Sequence, residues 1–177
     1  MSKQSESIKT TFKNLTTIYQ ETASLLLDAS GILEKYGYRC LHGNTAGTEQ
    51  SKDINNPQWW ITPYVSRYFA TQENPEEIKA VGVVFVNRDY APIEPLIIIG
   101  CFKMKKSENG EVLPYYYWYL KEAWFSFVHE RKLKIDLEFE GRYNFISGKI
   151  RAVQLDDVNN QEQLNKNIID SFIAMSC

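Results

Sequence analysis

From Ile8 to Tyr36 apolar positions recur every three or four residues: Ile8, Phe12, Leu15, Tyr19, Thr22, Leu26, Ala29, Leu33 and Tyr36. Thr11, Ile18, Leu25 and Ile32 form a second line beside them at seven-residue spacing. This period predicts one long helix with a broad apolar stripe. Gly37 stands where such a helix stops, since glycine accepts the left-handed backbone that closes a helix. Ser30-Gly31 inside the stripe marks the expected kink or break. The stripe has two uses: packing on the domain's own sheet, or pairing with the same helix of a second copy. Thr22 and Ala29 on the seam make it a poor free-standing coiled coil.

Residues 39–57 lose the pattern. They are rich in Gly, Asn, Thr, Ser and Asp, and they predict a long flexible loop. From there the period turns to that of strands. Tyr64 to Thr71 could open as a short helix at Thr62-Pro63, but its aromatic and β-branched residues favour a strand. Asn74-Pro75-Glu76-Glu77 reads as a turn, and Ala80 to Val86 as a central strand apolar on both faces. Arg88 to Pro95 carries two prolines and is expected as a loop before a strand from Leu96 to Met104. Asn109-Gly110 is a hairpin signal, and the aromatic run that follows reads as its return strand through about Tyr119, with 120–129 fitting either a strand or a helical face.

Leu133, Ile135, Leu137 and Phe139 alternate with Lys134, Asp136, Glu138 and Glu140, the pattern of a half-exposed antiparallel strand. Tyr143 to Leu155 predicts another, with a bend or bulge at Ser147-Gly148. A last helix starts near Asn160 and turns Leu164, Ile168, Ile169, Phe172 and Ile173 inward. The resulting expectation is a single α+β domain over residues 1–177. Its antiparallel sheet has about five or six strands, flanked by a long N-terminal and a C-terminal helix. This order resembles that of sensory domains of the PAS and GAF type, a likeness of element order without a shared motif.

Composition narrows the function classes. The net charge is −2, and the short basic stretches are interleaved with carboxylates. That argues against a nucleic-acid footprint. No apolar run approaches the roughly 20 residues that span a bilayer, and the first residues have no signal-peptide core. Three cysteines, Cys40, Cys101 and Cys177, are odd in number and widely spaced. They suggest neither a metal-ligand spacing nor a disulfide framework, and so a reducing, cytoplasmic setting.

The most distinctive chemistry is aromatic. Tyr115, Tyr116, Tyr117, Trp118 and Tyr119 are consecutive, and Trp124 follows. In a strand such residues alternate between faces, so both faces need cover. Tyr and Trp are also enriched at interface cores. Tyr115, Tyr117, Trp118, Tyr119 and Trp124, with Trp59 and Trp60, are the candidate binding residues. Asp136, Glu138 and Glu140 share one strand face and form an alternative hard-cation site. Glu77-Ile78-Lys79 has the Glu-x-Lys spacing of some metal nucleases, and Cys40 and His42 are two apart on the predicted loop. Neither carries a supporting motif.

The expected function is therefore a non-enzymatic cytoplasmic domain of a sensory or regulatory kind. It binds a small ligand or a protein through an aromatic sheet face, works as a homodimer and needs no cofactor. The alternatives are a metal-dependent hydrolase or nuclease on the three carboxylates, and a structural subunit of an assembly.

Overall fold

A computed structural model describes residues 3–41, 43–48, 52–86, 91–104, 137–140 and 145–177. The predicted N-terminal helix is a single 33-residue helix, α1 (Lys3–Lys35). It runs through Ser30-Gly31 unbroken. The buried Ser30 hydroxyl donates to the Leu26 carbonyl at 2.6 Å, so the polar side chain is satisfied inside the helix. The stop is where the sequence puts it. Gly37 takes φ +84°, its N–H donates to the Glu34 carbonyl, and the Tyr38 N–H donates to the Leu33 carbonyl. That pair of bonds is the Schellman closure.

The strands are β1 (Arg39–Cys40), β2 (Tyr64–Ala70), β3 (Glu77–Val86), β4 (Pro92–Met104), β5 (Leu137–Glu140) and β6 (Phe145–Gln154). They form one sheet of order β1-β2-β3-β4-β6-β5, and every neighbouring pair is antiparallel. The expected α+β class with helices beside an antiparallel sheet is what the chain adopts.

Two boundaries differ from the sequence reading. Pro92 to Pro95 belong to β4 instead of a loop. Proline lacks an N–H and suits only the start or the unpaired side of a strand. Both conditions hold here, because β6 pairs with β4 only from Leu96 onward and a register shift on β3 precedes the Val86–Pro92 pair. On the other edge, β6 shifts register next to Ser147, beside the predicted bulge.

The last helix, α2, runs over residues 161–174. It has an opening turn Gln161–Gln163, a π-helical stretch Leu164–Ile169 and a closing segment Asp170–Ala174. Asn160 caps it by accepting from the Gln163 N–H at 2.9 Å, and the Gln163 side chain accepts from the Asn159 N–H at 2.7 Å. This reciprocal pair satisfies donors that a helix start would leave unpaired.

Both helices lie on one face of the sheet. Leu26, Ala29 and Leu33 of α1 and Leu164, Ile168, Ile169 and Phe172 of α2 pack with Phe69, Val81, Val83, Ile97 and Ile99. The alternate residues of the same strands, among them Tyr64, Tyr68, Ala80, Val84, Ile98, Phe102 and Ile150, form a second buried cluster on the opposite face. β3 is thus apolar on both faces, as its unbroken Val-rich run predicts. Gly82 permits the close approach of β2 and β3, since a Cβ there would lie 2.8 Å from the Ser66 Cβ.

The segment read as a loop has local order of its own. Leu41 N–H donates to the Tyr68 carbonyl, and Gly47 exchanges two backbone bonds with Ser66, extending the β1 edge along β2. Further on, Asp53 organises a compact turn. Its carboxylate accepts from the Asn55 N–H at 2.9 Å and the Asn56 amide at 2.8 Å, and its carbonyl accepts from the Trp60 indole at 2.9 Å. A short 3₁₀ turn, Pro57–Trp60, follows. Asn and Asp make such bonds locally, so the composition that argued for looseness also supplies these contacts.

Candidate functional site

β3 begins at Glu77, three residues before the strand expected from the apolar run. This places Lys79 in the sheet, opposite Cys101 of β4 and on the helix-covered side. Lysine is almost never buried without partners, yet Lys79 is 3 % exposed. Its ammonium donates to the Tyr38 hydroxyl at 3.0 Å, the Phe172 carbonyl at 2.9 Å and the Ile173 carbonyl at 3.3 Å. It lies 3.7 Å from the Glu77 carboxylate and over the rings of Tyr38 and Phe172. Phe172 meets Tyr38 and Phe69 edge-on.

Three donors thus meet three oxygen acceptors, with a carboxylate beside them. Two of those acceptors are carbonyls of the last turn of α2, where a cation is favoured by the helix dipole. An ammonium so committed fastens a helix end to a sheet. It is not poised to attack a substrate, and the Glu-x-Lys spacing here serves a clasp.

The same corner holds a disulfide. Cys101, fully buried on β4, is bonded to Cys177, with Cα atoms 5.3 Å apart. The expectation that the three cysteines make no disulfide is corrected. A spacing of 76 residues carries no signal, and only the return of the chain past α2 to the Lys79 corner brings the two together. The inference from cysteine usage to a reducing compartment loses its premise. No described helix is long and apolar enough to cross a membrane.

Cys40 keeps its thiol. The Arg67 guanidinium donates to its sulfur at 2.8 and 3.2 Å and to the Gly43 carbonyl at 2.6 Å, bracing the loop against β2. His42 and His129 lie outside the described residues.

Tyr115, Tyr117, Trp118, Tyr119, Trp124 and Asp136 lie outside the described residues as well. Glu138 and Glu140 belong to β5, opposite Lys149 and Ser147 in register. Trp59 and Trp60 sit on the 3₁₀ turn, Trp59 half-buried and Trp60 exposed beside the exposed Ile61. The Asn56 amide and the Asn55 N–H hold the Asp53 carboxyl in this turn below the usual aspartate range.

A second feature is the start of α1. Its sheet-facing residues are Thr22, Leu26, Ala29, Ser30 and Leu33. The same helical face continues toward the N-terminus through Tyr19, Leu15, Phe12 and Ile8, because the 4-3 spacing is unbroken. Tyr19 still touches the protein, edge-on to Phe85 at 5.9 Å. Leu15 beyond it is half-buried, and then the cover ends: Phe12 is 65 % exposed and Ile8 52 %, with Ile18 at 42 % on the flank. Sixteen residues, Lys3 to Ile18, amount to about 24 Å of helix at 1.5 Å per residue. No family model, curated protein or solved structure matches this chain.

Proposed function

We propose that this chain is a non-enzymatic, protein-binding domain of a regulatory kind that works as a homodimer, with the overhanging face of α1 as its contact. The observation that carries this reading is the exposure of Phe12 and Ile8 on the very stripe that, further along, seats the helix on its sheet. An apolar face left in water along a helix gains from a partner that covers it.

A second copy fits as that partner. The seam Ile8, Phe12, Leu15, Tyr19 repeats at the 4-3 spacing two like helices need to interlock. Of the flanking positions Lys9, Thr11, Thr16 and Ile18, only Lys9 is charged, so two identical faces meet with little repulsion. Such a contact is self-complementary and closes as a two-fold dimer. The cytoplasm is the compartment this reading assumes. Ligand capture by the aromatic run 115–124 remains part of the same proposal.

Cross-linking tests it. In a Cys40→Ser background, Thr11→Cys sits mid-way along the overhang and beside the seam. Mild oxidation should yield a covalent dimer in non-reducing electrophoresis. Leu27→Cys, exposed beyond the overhang and turned about 100° from the seam, should not. Equal cross-linking at both positions, or none at either, would remove the proposal.

A further inference from the structure

Beside the Lys79 clasp, one oxygen of Glu77 and the sulfurs of Cys101 and Cys177 all lie within 4.8 Å of one another. We propose that the reduced protein holds a zinc-class divalent cation on these three side chains, so that the corner alternates between a disulfide and a metal thiolate. The ligand set is two soft sulfurs and one carboxylate, the mixture that zinc accepts at a four-coordinate site. A fourth position is left for water.

The geometry suits both states. Disulfide-bonded cysteines keep their Cβ atoms about 3.8 Å apart. Two sulfurs on one tetrahedral zinc, at bonds of about 2.3 Å, also stand about 3.8 Å apart. Rotation about the two Cα–Cβ bonds therefore converts one arrangement into the other without displacing β4. Access is available, because Cys177 and Glu77 are half-exposed while Cys101 is buried.

Charge is accounted for too. A divalent cation with two thiolates and one carboxylate carries one net negative charge, and Lys79 supplies the matching positive one at 3.7 Å from Glu77. The lysine's other partners, Tyr38 and the two carbonyls, hold it in place from the helix side, so that its ammonium stays beside the carboxylate as the outer partner of a metal ligand does. The chemistry balances with a dithiol as reductant. Thiol–disulfide exchange passes two electrons and two protons to Cys101 and Cys177 and leaves the dithiol as its own disulfide. Metal binding then releases the two thiol protons.

The test is cobalt titration of the full chain, reduced by a phosphine and kept anaerobic. The expected result is a thiolate-to-cobalt charge-transfer band that saturates at one metal per chain and is bleached by added zinc. Cys177→Ser should abolish the band, and Glu77→Gln should weaken affinity at least tenfold while the far-ultraviolet circular dichroism is unchanged. Oxidised protein should give no band. A folded, reduced wild type without the band would overturn the proposal. So would a band indifferent to both substitutions, which would trace the metal to Cys40 or elsewhere. Neither result depends on whether the chain dimerises.

Discussion

The two halves of α1 share one sequence pattern and have opposite fates. From Thr22 to Leu33 the stripe is buried against β2, β3 and β4; toward the N-terminus the same stripe leaves Ile8, Phe12 and Ile18 in solvent, with Leu15 half-buried between them. The difference teaches that periodicity specifies a face and not its cover. What the second half has and the first lacks is a clasped neighbour. α2 is fixed by its Asn160 cap, by Lys79 on its last carbonyls and by the Cys101–Cys177 bond just beyond, and α1 packs beside it over the same strands.

The anchored half can be broken most severely. Leu33 and Leu26 are essentially inaccessible, and truncating such a leucine leaves a cavity. Leu33→Ala should cost about 2–5 kcal/mol in urea unfolding, whereas Ile8→Ala should change stability by no more than about 0.5 kcal/mol when measured at high dilution. Equal losses at the two positions would erase the contrast between the halves.

The clasp ranks next. Lys79→Met keeps the stem but leaves the Tyr38 hydroxyl and two helix-end carbonyls without their donor. Of these bonds the one to the Phe172 carbonyl is buried, and an unsatisfied buried group costs about 1–3 kcal/mol, so the variant should unfold at clearly lower denaturant. Glu77→Gln should cost less than about 1 kcal/mol, because Glu77 is one-third exposed and its pairing is screened. If the two losses were alike, the ion pair and not the helix-end contact would be the fastening.

The smallest effect concerns the Asp53 turn. Its carboxyl is held below the ordinary aspartate range by the Asn56 and Asn55 bonds. A group with a depressed folded value stabilises above its unfolded value of about 3.9 and loses that contribution as pH falls through the folded one. Hydrogen exchange across residues 53–60 should therefore show constant protection factors down to about pH 5 and decline below about pH 4. Asp53→Asn should remove that dependence. A turn whose protection ignores acid would show that the carboxylate does not organise it.

Much of this architecture could be read before the structure. α1, its Gly37 stop, the central strand and the inward face of α2 all follow from local period and capping residues, which act within a few positions. Three things could not. Pro92 and Pro95 read as loop because proline's cost depends on which side of a strand is paired, a fact of topology. Lys79 reads as a turn residue because a single charge beside Ile78 and Ala80 looks like a strand boundary. A lysine in that setting is itself a sign of a buried partner, but the partner's carbonyls lie 93 and 94 residues away. Cys101 and Cys177 are joined by the path of the chain and by no motif. Of the candidate binding residues, Trp59 and Trp60 are placed by the Asp53 turn; the aromatic run and Asp136 fall outside the described residues.

A second copy is the cover proposed above for the overhang of α1. Light scattering on a sizing column tests it most directly, with wild type, Phe12→Glu and Leu27→Glu run over a range of concentrations. Pairing through the overhang gives twice the chain mass for wild type and Leu27→Glu, and a folded single chain for Phe12→Glu. A wild type that stays a single chain at every concentration, or a Phe12→Glu protein that stays dimeric, would contradict it.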